Sequence, residues 1–349
     1  MKKTALLIFI LFVSNSYPQI TLFGEDDSTY AGCSNKSFDI GFNNSGISFG
    51  NSSYFNGLRF NFTDCNIEEI NGINITFWKP ERNPGSVING IAVGLAPSAG
   101  TINGISIGIA AVIAEKDLYG INIGGLAIVA QRNSAGINLG GLAVVTQNDL
   151  SGINIGGLAT VSQGEQLGIN VGGLAVVSQG NMSGMNIGGL ATVSQDDMIG
   201  LNFGGLAVVS QGDLYGINFG GLAVVAQGEL KGINFGGLAI VGQESIYGLN
   251  QALLAVISQN EIQGLTIAGY KTEAYEFNGM NISGWTEFEN FTGFSLAVYN
   301  RIKEAQTGLT IGLFNTTENL NGVQLGLINI AKNNEGIFKV LPVFNAHFD

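Results

Sequence analysis

Residues 200–215 read Gly200-Leu-Asn-Phe-Gly-Gly-Leu-Ala-Val-Val-Ser-Gln-Gly-Asp-Leu-Tyr215. This sixteen-residue unit recurs nine times between Gly120 and Gln263, with starts at Gly120, Gly136, Gly152, Gly168, Gly184, Gly200, Gly216, Gly232 and Gly248. Self-similarity at a fixed period marks stacked or circularly arranged copies of one structural element. Looser units start at Gly57, Gly72, Gly90 and Gly104 before the array, and at Gly264, Gly279, Gly293, Gly308, Gly322 and Gly336 after it. No linker interrupts them, so residues 57–349 read as one repeat β-domain whose regular part is 120–263.

Each unit reads as a strand followed by a tight turn. Apolar β-formers alternate with small or polar residues, Gly is too frequent for a helix, and the residues after each Gln are turn formers. Charge obeys the same division. Arg132, Asp149, Glu165, Asp196, Asp197, Asp213, Glu229, Lys231, Glu244 and Glu261 all occupy the four variable positions, and the twelve strand positions carry none.

Two all-β architectures satisfy such a repeat. In a closed antiparallel β-barrel, each unit of about 16 residues is one strand plus a turn. In the alternative, a parallel β-solenoid, each unit is one coil and identical residues stack, so Asn122, Asn138 and Asn154 would form a ladder. The barrel is favoured by cross-strand pairing. A three-residue turn Gly212-Asp213-Leu214 sets Ala207 opposite Phe219 and Leu206 opposite Gly220, large against small. A thirty-two-residue superperiod agrees with duplicated hairpins: Thr160 and Thr192 alternate with Val176 and Val208. A thirteen-residue strand tilted by ~40° would span ~33 Å, the thickness of a bilayer. One strand face, Leu201, Phe203, Gly205, Ala207 and Val209, is wholly apolar. The barrel therefore implies the outer membrane as partner.

Composition bounds the function. Hydrophobic residues make up 45% and charged residues 11%, the opposite of a disordered chain. A net charge of −12 argues against nucleic acid, whose phosphates demand Lys and Arg. Lys2 and Lys3 followed by apolar Ala5 to Val13 read as a signal peptide over residues 1–19, too short to span a bilayer. The chain is thus expected to be exported to the outer membrane or cell surface, with the periplasm or secretion as the alternative. Residues 20–56 read as an irregular segment. In an exported chain Cys33 and Cys65 are candidates for a disulfide.

Catalysis has little to work with. His347 is the sole histidine, which disfavours a Ser/His/Asp or Cys/His arrangement and a zinc site. No catalytic, cofactor-binding or metal-ligating residue is assigned. The recurring Gly-Gly pairs lack the Lys and helix of a phosphate loop. Asp149, Glu165, Asp197, Asp213 and Glu229 form an acidic rim, read as solvated turns because the Gly-Gly-x-Gly-x-Asp spacing of calcium-binding β-helices is absent. If anything in the chain recognises a ligand, the place to look is the flanking aromatics Trp78, Trp285, Tyr270 and Tyr275.

Gly308-Leu-Thr-Ile-Gly-Leu-Phe-Asn315, Gly322-Val-Gln-Leu-Gly-Leu-Ile-Asn329 and the ending Leu341-Pro-Val-Phe-Asn345 resemble the glycine-rich surface-repeat proteins of Bacteroidetes and spirochaetes. The array also resembles the β-flower, a shallow symmetric barrel with hairpin petals. The central Gly-Ile-Asn-Ile-Gly-Gly-Leu-Ala form departs from the commoner Gly-Val-Gln-Leu-Gly-Leu form. The resemblance implies a non-enzymatic outer-membrane or surface β-barrel with a structural, channel-like or binding role. The alternative is a secreted soluble β-solenoid adhesin.

Overall fold

In the computed structural model, residues 34–348 are described, Lys79 excepted. The segment read from the sequence as a signal peptide, and Cys33, lie outside them. From Asn35 onward the chain forms one unit, a parallel β-solenoid. A sixteen-residue coil is typified by a seven-residue strand Leu118–Gly124, a corner at Gly125 and Leu126, a four-residue strand Ala127–Ala130, and a three-residue turn. Through the coils between Leu118 and Ser258, long strands pair with long strands and short with short. Gly136 lies beside Gly120 and Gly152, and Val144 beside Ile128 and Thr160.

The closed antiparallel barrel is therefore overturned, and the β-flower geometry with it. Ala207 pairs with Ala191 and Ala223, and Phe219 with Phe203 and Phe235, each with its own copy one unit away. The thirteen-residue strand does not exist, because Gly205 and Leu206 turn a corner in the middle of it. The Thr alternation does not mark hairpins. Thr160 and Thr192 point inward, and their hydroxyls donate to the carbonyls of Val171 and Phe203 at 2.8 and 2.7 Å.

What selects coils over hairpins is the interior. Alternation along the long strand sends Leu118, Asn122 and Gly124 inward, and the short strand sends Ile128 and Ala130 to meet them. A buried Asn is costly unless its amide is satisfied. Stacking in parallel register satisfies it: Asn122 Nδ2 donates to Asn138 Oδ1 at 2.8 Å, Asn138 to Asn154 at 2.7 Å, and so on to Asn234 and Asn250 at 2.8 Å. Ser106 joins the amino end, its hydroxyl 2.6 Å from Asn122 Oδ1. An antiparallel arrangement would set each Asn against Val208 or its equivalent and strand these amides. The small inner row serves the turns. Ser162, Ser178 and Ser210 donate to the turn carbonyls of Asn148, Gly164 and Asp196 at 2.7, 2.7 and 2.6 Å.

Gln166 departs from this logic at both of its amide atoms. Gln166 is buried in the row between Leu150 and Met182, and neither amide atom has a partner. Gln166→Met would match its neighbour and remove both unsatisfied atoms. We expect a gain of about 1–3 kcal/mol in stability, read as a raised urea midpoint.

Both described ends are capped. Of the segment read as irregular, Ser37–Phe42 and Ser45–Gly50 form an antiparallel hairpin, turned by Asn43 and Asn44 at φ of 49° and 54°. Its second strand joins the stack in parallel. At the far end Val340–His347 reverses and pairs antiparallel with Asn319–Ala331. Pro342 and a register shift at Gly326/Asn329, with Val343 at φ 69°, spoil this strand as a template for further pairing.

Candidate interaction surface

The same alternation that turns Asn inward turns the apolar face outward. Counting from the first Gly of each unit, positions +1 and +3 of the long strand lie outside, typified by Ile121 and Ile123 at 41% and 38% exposed. Register carries the first row from Ile40 through Ile47, Leu58 and Ile73 into the regular array. There it holds only Ile, Leu or Met. The second row runs from Phe38 through Phe49 and Phe60 to Phe203 and Phe219, whose rings stack at 4.8 Å. At +6 the corner leucines project: Leu158, Leu174 and Leu190 are each 46% exposed. Beyond the corner, Ala at +7 and Val or Ile at +9 form the outer side of the short strands. Among these five rows of the regular array, Gln251 is the one polar residue.

The aromatics singled out from the sequence fall largely on this corner. Trp78, Tyr270 and Trp285 occupy the leucine position of their own units, and Phe62 stacks on Trp78 at 6.5 Å. Tyr275 instead sits on the turn side. Toward the carboxyl end the surface deepens into an apolar groove of about 680 Å³. It is walled by Ile282, Leu296, Val298, Leu313 and Leu327, floored by Gly312 and Gly326, and reached by Val343.

On the outside of the regular array the charged groups lie at the turns and the strand ends beside them, where the acidic rim does structural work. Asp149, Asp197 and Asp213 each accept the backbone N–H of the next turn, from Glu165, Asp213 and Glu229, at 2.8–2.9 Å. Burial alone would raise the carboxyl pKa of Asp117, but Arg132 and the Asn133 N–H outweigh it and hold it below the ordinary value. Asp213, with burial and Glu229 adding, raises the Tyr215 hydroxyl well above its own. In the carboxyl-terminal coils the short-strand side becomes charged. Lys271 bridges Glu273 and Glu287 at 2.8 Å, and it is Lys271 foremost, against burial, that lowers the carboxyl pKa of Glu287.

A polar cluster that sequence reading missed closes the amino-terminal coils. Arg59, fully buried, meets Asp64 at 2.5 Å, Asn74 at 2.7 Å and Asn51 at 2.9 Å. It occupies the same inner row as the Asn ladder, two residues after Gly57, and the only signal was that spacing. Cys65 is buried beside it, its sulfur 3.2 Å from the Asn51 amide. His347 Nδ1 lies 2.6 Å from Asn334 Oδ1 on the last strand.

Comparison with protein-family models, with curated proteins and with solved structures gives no match. The surface itself has to carry the functional reading.

Proposed function

We propose that this chain is an exported, non-enzymatic β-solenoid of the cell surface that works as an adhesin-like binding scaffold through its apolar outer side. The observation carrying this is the pair of apolar rows along the long strands, broken in the regular array only at Gln251. A soluble monomer seldom exposes more than ~300–600 Å² of contiguous apolar surface. Here five rows about 26 Å wide continue for about 43 Å through the regular array alone, roughly 1,000 Å². The amino-terminal signal supports export, and the low charge and single histidine support a binding role over catalysis.

Beads carrying the full chain should adhere to alkylated glass and ignore hydroxylated glass. Ile153→Lys with Ile169→Lys, two exposed positions on the flat side, should reduce adhesion several-fold. Protease treatment of intact cells should remove the chain. Equal adhesion to both surfaces, or a chain protected inside the cell, would sink the reading.

A further inference from the structure

The apolar sector is not a single flat patch. The long and short strands pack their inner faces together, so their outer faces look in different directions, and the leucine row stands on the corner between them. A rigid second copy seated on the long-strand side would leave the corner leucines and the Ala and Val rows in water. A fluid apolar phase covers all three at once. Through the regular array the rows are also chemically uniform from coil to coil, without the pockets and anchors that distinguish one protein partner from another.

The backbone of this corner is prepared for such a phase. Exposed loops are excluded from hydrocarbon because their N–H and C=O groups go unpaired. Here the corner itself is hydrogen-bonded along the axis: Leu158 N donates to Leu142 O at 2.7 Å, and Gly157 N to Gly140 O at 3.0 Å. Dimensions agree. From the corner back to the +1 row is five residues, about 16 Å, and forward to the +9 row about 10 Å. One leaflet of hydrocarbon is about 15 Å deep. On the opposite edge the turns of the regular array and the strand ends beside them carry eight acidic side chains (Asp149, Glu165, Asp196, Asp197, Asp213, Glu229, Glu244 and Glu261) against Arg132 and Lys231.

Building on the binding role proposed above, we infer that the partner of this corner is a phospholipid leaflet, entered edge-first by the leucine ridge while the acidic turns stay in water. Because the turns repel anionic headgroups, zwitterionic lipid is the preferred surface and binding is insensitive to salt. The solenoid lies in one leaflet and does not cross the bilayer.

The test uses the purified full chain and vesicles of phosphatidylcholine, alone or with phosphatidylserine. The chain should float with phosphatidylcholine vesicles equally at low and high salt, and less with the anionic mixture. With Trp285→Phe to isolate it, Trp78 emission should shift to the blue and be quenched by lipids brominated on the acyl chain. Combined Leu158→Asp, Leu174→Asp and Leu190→Asp should lower partitioning at least tenfold while circular dichroism stays unchanged, because these side chains are exposed. Glu165→Gln on the turn edge should leave partitioning as it was.

A chain that adheres to alkylated glass yet stays out of vesicles overturns the leaflet and leaves the binding role standing. Concentration-dependent dimers in sedimentation equilibrium, with no flotation, would assign the surface to a second copy. Failure on both alkylated glass and vesicles removes the two proposals together. Unchanged flotation of the triple variant also overturns this one.

Discussion

Gly184→Ala is expected to cost more than about 3 kcal/mol and to open the coils on either side of it. The residue sits in the middle of a long strand at φ 113°, where an L side chain is strained by about 1–3 kcal/mol. A Cβ there would lie 2.1 Å from the carbonyl oxygen of Gly168, the matching residue one coil earlier. That oxygen belongs to the rigid ladder and cannot step aside as a flexible side chain could. The same contact recurs from Gly57 to Gly322, so the first Gly of each of these units, like the corner Gly at +5, is a point of close approach between successive coils. Solenoids are stabilised coil by coil, so the damage should be local. Hydrogen exchange should accelerate in residues 168–204 and fade with distance. Gly85→Ala is the control. Nothing lies within 4 Å of its Cβ, and stability should move by less than about 0.5 kcal/mol. Equal behaviour of the two variants would contradict the close stacking of coils.

Asn186→Ala should cost about 2–6 kcal/mol. The Asn170 amide loses its acceptor and the Asn202 carbonyl its donor, both buried, and each orphan costs about 1–3 kcal/mol. Asn250 provides an internal comparison. It accepts from Asn234, but its own Nδ2 has no partner, so Asn250→Ala should cost about half as much. Urea unfolding of the two variants side by side measures the ratio. Near-equal losses would mean that the ladder is not the satisfied chain its geometry indicates.

Much of the local structure was legible in the chain. Strand, turn and the confinement of charge to the turns follow from the period and from where Asp and Glu fall. The two faces of the strand are also those of the structure, apolar outward and Asn inward, apart from Leu206. What misled was direction. Alternation has the same period in parallel and antiparallel sheets, and the pairing of Ala207 with Phe219 satisfied a rule of size that many registers satisfy. The recurrence of Asn at the one inward polar position was the better guide, because only in-register stacking lets each amide meet another. The corner at Gly205 and Leu206 was hidden for a different reason. Gly-Gly is compatible with a strand, and Leu206 keeps an inward parity that the turn then cancels. The binding surface was half visible: the apolar face could be read, but its wrapping around a corner depends on that turn. Buried Arg59 gave one signal, its place two residues after Gly57 in the register of the Asn row, and nothing else local distinguishes it from an exposed arginine.

Pairing of each residue with its counterpart sixteen positions away makes the protein a ruler graduated in whole turns. Loss or gain of one unit, as happens when repeated genes recombine out of phase, rejoins the inner spine, the glycine contact and the outer rows without a seam. Each such event changes the length by about 4.8 Å and little else. Reach is thereby set by copy number, free of any need to redesign the ends.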